Sequence, residues 1–250
     1  MIAAVALAVA AVSAGSGAAA PARLALSVSP AHVALDAGGT ATVHIGGTGG
    51  RRFLLRTSVA GLSLDARGRP KIARPRDAAT WLTVRPRTTS TGPDGATFVI
   101  RSRRPPHVRP GDHSAIVLVA ALASARNAIA VELRVGLVVT VRVAGRSVRR
   151  VEAVAARARR LRGGGRLISV TVANRGDVIE AIGGGQLEVA LLRHGRPIAR
   201  FHVPRRKVLP RTSAVVAVRW RGAVPGAVLA RIAVAGPGGG TTVRTFRLRL

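Results

Sequence analysis

From residue 129 to residue 143 the chain alternates without interruption. Ile129, Val131, Leu133, Val135, Leu137, Val139, Val141 and Val143 fall on one side, and Ala130, Glu132, Arg134, Gly136, Val138, Thr140 and Arg142 on the other. A helix repeats every 3.6 residues, so a period of two over this length specifies an extended strand with one apolar face. The run is longer than an ordinary strand of about five or six residues, which predicts a strand that bends at Gly136 or runs the full height of a sandwich. Shorter strands are expected at residues 24–29, 41–45, 53–59, 80–84, 96–102 and 114–121, separated by Gly, Pro and Asp clusters. After Ala144-Gly145-Arg146 the pattern restarts, with strands expected at 151–156, 166–173, 186–192, 197–203, 213–220, 228–234 and 242–250. Residues 151–161 could also form a short helix, with Glu152 early and Arg159 and Arg160 late, and the strand reading is preferred. His194-Gly195 has the form of a two-residue hairpin turn.

Short strands spaced in this way predict an all-β protein of two tandem immunoglobulin-like antiparallel β-sandwich domains. A weak internal repeat supports two similar halves. Gly38-Gly39 and Gly164-Gly165 each run into a Val-rich strand. Pro86-Arg87-Thr88 and Pro210-Arg211-Thr212 each precede a strand, and so do Pro110-Gly111 and Pro225-Gly226. The expected organisation is an export signal at 1–22, one sandwich at 23–145 and a second at 146–250. Residues 2–12 are an unbroken apolar run, and Ala20-Pro21-Ala22 is a small-residue cleavage pattern. If the segment stays uncleaved it would be the membrane attachment, because later apolar runs are interrupted by Arg, Glu, Gly or Pro. Trp81 and Trp220 are expected as core anchors, one in each half.

The residues also resemble a family. Val170-Thr171-Val172-Ala173-Asn174-Arg175-Gly176-Asp177, Val208-Leu209-Pro210-Arg211-Thr212, Val218-Arg219-Trp220 and Pro225-Gly226 resemble the secreted two-domain immunoglobulin-like surface proteins of Gram-positive bacteria. Ser29-Pro30, Gly38-Gly39, residues 81–86 and Pro110-Gly111-Asp112-His113 resemble the N-terminal domain of proteins that partner WxL-type surface proteins and, more distantly, pilus-assembly chaperones. The resemblance implies a role in cell-envelope adhesion or scaffolding. In it Trp81, Pro110, Gly111, Asn174, Gly176, Trp220, Pro225 and Gly226 are framework residues, with Asn174 and Gly176 shaping a turn. The WxL partners continue into a membrane helix, whereas here the chain ends directly after a strand, so anchoring by such a helix is not expected.

Lys and Arg number 40 against 10 Asp and Glu, a net charge of 40 − 10 = +30, while 48% of the residues are hydrophobic. The apolar content separates the chain from disordered basic tails, which cannot bury a core. Three basic clusters are candidates for binding polyanions. They are Arg101, Arg103, Arg104 and Arg109; Arg157, Arg159, Arg160 and Arg162; and Arg205, Arg206, Lys207 and Arg211. Nucleic acid is not expected, because Tyr is absent and four Phe and two Trp give too few platforms for base stacking.

Zero cysteines rule out disulfides, a thiolate nucleophile and cysteine-bound metals. The six histidines show no paired metal-ligand spacing, no G-x-S-x-G elbow occurs, and the Gly clusters lack the Lys-Ser or Lys-Thr of a phosphate loop. Adjacent Asp112-His113-Ser114 would point to opposite faces of a strand and cannot converge as a triad. A non-enzymatic protein without a cofactor is therefore expected, secreted or held at the cell surface, with anionic wall polymers or surface proteins as partners. The alternative is a chaperone-like protein that completes another protein's sheet by edge pairing, with Ile129, Val131, Leu133 and Val135 on the pairing strand. The basic pair with which such chaperones hold a subunit's terminal carboxylate is not identified.

Overall fold

A computed structural model describes residues 25–47, 52–65, 68–92, 94–103, 105–123, 131–222, 226–236 and 239–250. The expected export segment, Ile129, Arg104 and Pro225 lie outside them. Among the described residues the fold is all-β apart from one short helical turn, and it comprises two immunoglobulin-like sandwiches. The chain divides into two compact units. Of the described residues, the first takes Ala25–Leu62, Ile72–Val108 and His113–Val143; the second takes Ser63–Lys71, Arg109–Asp112 and Ala144–Leu250.

In the first unit one sheet has the order β1 (Leu26–Ser29), β3 (Thr40–Gly47), β8 (Ala96–Ser102), β6 (Leu82–Arg85). The other runs β2 (His32–Asp36), β10 (Val131–Val143), β9 (Gly111–Ala123), β4 (Leu54–Leu64), β5 (Pro70–Ala73), with β7 (Thr88–Ser90) pairing on β4. Alternating residues such as Val43, Ile45, Leu55, Phe98, Ile100, Val117, Val139 and Val141 fill the space between the sheets and are buried. The expected strand at 80–84 is partly corrected: Thr80 and Trp81 belong to a helical turn, α1 (Ala78–Trp81), and extended structure starts at Leu82. Through that turn Trp81 enters the core, its ring 4.7 Å from that of His113.

In the second unit β11 (Val151–Arg160), β12 (Arg166–Asn174) and β17 (Ser213–Trp220) form one sheet, and β15 (Arg196–His202), β14 (Leu187–Arg193), β18 (Ala227–Ala235) and β19 (Thr241–Arg249) form the other. β13 (Glu180–Ile182) and β16 (Arg206–Val208) pair with each other as a separate two-stranded sheet and put Ile182 and Val208 into the core. Residues 151–160 are thus strand. The core holds Ile168, Val170, Val172, Val189, Leu191, Ile232 and Trp220. His194 and Gly195 take φ of 48° and 78° in the turn between β14 and β15, the left-handed pair that a tight hairpin requires.

The two units share the pairing of a five-strand core. The β3–β8 pair corresponds to β12–β17, and β4–β9–β10 to β14–β18–β19. The Gly-Gly and Pro-Gly landmarks fall before equivalent strands. The Pro-Arg-Thr landmark does not: Pro86-Arg87-Thr88 leads into β7, which pairs with β4, whereas Pro210-Arg211-Thr212 leads into β17, which pairs with β12.

Candidate strand-pairing edge

The long alternating segment is β10, and its two sides differ. One side lies against β9 along the sheet. On the other, β2 pairs in parallel only from Val138 to Arg142. Before β2 the chain forms β1, which runs alongside β10 but hydrogen-bonds to β3 in the opposite sheet. This change of sheet leaves residues 131–137 of β10 without a ladder partner on that side among the described residues.

The register identifies which groups are presented. Val138 N–H donates to Ala31 O at 3.2 Å, and Arg142 O accepts from Ala37 N–H at 2.9 Å, so even-numbered residues direct their main-chain groups to the β2 side. By the two-residue repeat, Glu132, Arg134 and Gly136 direct theirs to the open edge. An incoming strand would find three N–H donors and three C=O acceptors in an extended row.

The odd-numbered side chains point to the core face. Leu137, Val139, Val141 and Val143 are buried, while Leu133 and Val135 are half-buried and packed on the core margin. Val131 is in the strand. On the other face Arg134 donates two hydrogen bonds to the Glu132 carboxylate, at 2.9 and 2.8 Å. That bond holds the Glu132 carboxyl below its ordinary pKa and raises that of Arg134. Gly136 has a packing reason: a Cβ there would come within 2.8 Å of Ile116 Cδ1, so glycine lets the β9 side chain lie across β10.

The expected basic clusters are spread over separate elements. Arg101 is exposed on β8, and Arg103 donates to Thr80 O at 3.1 Å. Arg109 belongs with the second unit. Arg157 and Arg159 alternate along β11 on its exposed side, Arg160 closes the same strand, and Arg162 lies in the following turn. Arg205 and Lys207 are exposed, while Arg206 is half-buried and donates to Val215 O at 2.7 Å. Arg211 is engaged by Asp177 at 2.7 Å. These last two guanidiniums are occupied in holding the second unit together.

Among the framework positions, Pro110, Gly111, Asn174, Gly176 and Gly226 lie in or next to turns and strand ends. Asn174 is fully buried at the end of β12; its Nδ2 donates to Val178 O at 2.8 Å and Val208 O at 3.1 Å, and its Oδ1 accepts from Gly176 N–H at 2.9 Å. Gly176 is crowded, since a Cβ would strike Val148 O. Pro110 and Gly111 open β9, with Gly111 at φ 128°; Gly226 precedes β18 at φ 110°. Asp112, beside Gly111, is buried and accepts from Ile179 N–H at 2.9 Å. No group of three or more His, Asp or Glu side chains is arranged to hold a metal ion among the described residues.

No family model matches this sequence, and no curated protein does. Solved structures do match. A chain of the chaperone–tip adhesin complex of CFA/I fimbriae biogenesis is 9% identical with a TM-score of 0.52, covering 88% of this chain and 98% of that one. The class 5 fimbriae chaperone CfaA is 9% identical with a TM-score of 0.51, over the same shares. The complex of SafA pilin with the SafB chaperone of Salmonella enterica gives 13% identity and a TM-score of 0.48, covering 92% and 99%. At these identities the first two define a shared fold, the two-domain immunoglobulin-like architecture of pilus-assembly chaperones. The WxL-partner part of the resemblance finds no support among the comparisons.

Proposed function

We propose that the chain is an exported, non-enzymatic chaperone-like protein that binds surface-protein subunits by β-strand complementation through the open edge of β10. The observation behind this reading is the row of main-chain groups at Glu132, Arg134 and Gly136, beside half-buried Leu133 and Val135. An edge of this kind gives affinity through ladder hydrogen bonds and selectivity through alternate side chains. The likeness in fold to a chain of a chaperone–tip adhesin complex supports the same reading. Binding to anionic wall polymers has less behind it, because the three sequence clusters are dispersed and Arg206 and Arg211 are engaged internally.

Arg134→Pro tests the edge directly. Proline removes the Arg134 N–H, which points to the open side, and leaves the β9 ladder intact; Arg134→Ala controls for the lost ion pair. A photo-cross-linking side chain at Glu132, introduced in the exporting cell, identifies the partner. The expected adduct is with an exported protein, and Arg134→Pro should weaken that complex by about 2- to 12-fold relative to Arg134→Ala, the equivalent of one net hydrogen bond. Equal affinity in the two variants, or adducts with cytoplasmic proteins alone, would overturn the proposal.

A further inference from the structure

The sheet formed by β15, β14, β18 and β19 has an outer face that the order of residues along the chain conceals. Leu187, Val189 and Leu191 of β14 and Val228, Ala230, Ile232 and Val234 of β18 point inward and are buried. Their neighbours point outward, and the strand registers place these side by side. One row reads Arg200, Ala190, Arg231, Thr245 across the four strands. The next reads Pro197, Leu192, Leu229, Arg247. Beyond it Arg249 stands opposite Ala227, and on the other side Val243 stands opposite Ala233, next to Glu188. Four arginines thus frame an aliphatic row of Pro197, Leu192 and Leu229, in which Leu229 is 41% exposed, and Val243, 43% exposed, lies on the far side of Arg231 and Thr245. The acid on this face, Glu188, lies 3.7 Å from Arg200.

We propose that this face docks on an anionic lipid bilayer. The arginines alone would suit any polyanion. What selects a bilayer is the apolar band among them: a polymer dissolved in water gains nothing from Leu229 or Val243, whereas the boundary between headgroups and acyl chains takes aliphatic side chains and phosphate-bound guanidiniums together. Neighbouring strands are about 4.8 Å apart and same-face residues about 6.7 Å, so the arginines span an area wide enough to meet several headgroups. The proposal is independent of strand complementation by β10, which lies in the other unit.

The test is co-sedimentation of the exported chain, with its N terminus fixed by mass and identical in every variant, with vesicles of phosphatidylcholine alone or with 30% phosphatidylglycerol (about a third anionic, enough to set the surface potential). Binding is expected to need the anionic lipid and to weaken with salt. Each lost arginine should lower affinity about fivefold, so Arg231→Gln with Arg247→Gln lowers it about 25-fold, while Arg157→Gln with Arg159→Gln, an equal loss of charge elsewhere, leaves it within about twofold. Leu229→Ser should weaken the binding that remains at high salt. Equal binding to both vesicle types, or equal losses in the two double variants, would refute a specific face. Full competition by soluble polyphosphate together with an inert Leu229→Ser would assign the face to a polymer instead.

Discussion

Replacing Asn174 tests whether one buried side chain closes the second sandwich. The residue is fully buried and serves three main-chain groups from three places: Val178 O, Val208 O and Gly176 N–H. It therefore ties the end of β12 to the following turn and to β16. Asn174→Ala removes three hydrogen bonds at a net cost of about 0.5–1.5 kcal/mol each, and leaves buried donors and acceptors without their partner. The expected loss is about 3–5 kcal/mol. Asn174→Asp keeps the acceptor for Gly176 N–H but turns carboxylate oxygens toward two carbonyls, so burial and repulsion should raise its pKa above the unfolded value. The sign follows: the charged form is disfavoured in the folded state, so this variant is least stable at neutral pH and regains stability as pH falls through its folded pKa, the recovery being complete below the unfolded value. Asn174→Ala should show no such recovery. Urea unfolding followed by Trp220 fluorescence in a Trp81→Phe background reads the second unit alone, and the urea slope checks that the transition stays two-state. A loss below about 1 kcal/mol for Asn174→Ala, or a pH-independent Asn174→Asp, would refute the three-bond account.

Three further outcomes are expected. Val135→Pro removes an N–H that faces β9, so it should lower the melting temperature of the first unit, whereas Arg134→Pro should leave it nearly unchanged, as hydrogen exchange and thermal unfolding would show. Ile232→Ala, at a fully buried position between β14 and β19, should cost about 2–5 kcal/mol in the second unit. Asp177 is held below its ordinary pKa by the hydrogen bond from Arg211, and Glu152 by that from Arg175; the stability they supply is complete above the unfolded carboxylate range and is lost as pH falls through their lowered folded values. Carboxyl NMR titration should find both shifts, with Arg211→Gln returning Asp177 toward its ordinary value and leaving Glu152 in place.

The proposed edge exists because β1 and β2 belong to different sheets. A continuous first strand, paired with β10 throughout, would satisfy the main-chain groups of Glu132, Arg134 and Gly136 and leave nothing to complete. Because the chain crosses between sheets before His32, β2 covers only the far half of β10. Exposed hydrophobic edges carry an aggregation risk. Here the bidentate Glu132–Arg134 pair places charged side chains on the outer face of the open stretch, which makes the edge less apolar.

The alternation at 129–143 determined that β10 would be a strand and which side chains would meet the core, because the period of two is a local property of extended backbone. The restart after Arg146 determined that there would be a second set of strands, and the left-handed turn at His194-Gly195 was legible from residue type. Short segments were hidden. Residues 32–36, 70–73, 88–90, 180–182 and 206–208 are too brief for a period to emerge, and Trp81 reads as strand until Ala78 and Ala79 are seen buried in the helical turn that carries it. Tertiary structure alone decided the candidate sites. Which edge of β10 stays open depends on where a distant strand changes sheet, and Arg200, Arg231, Arg247 and Arg249 share a face only because four strands align in one register. Alternation assigns a side chain to a face, but pairing between residues far apart in sequence decides what stands beside it, and no local pattern carries that information.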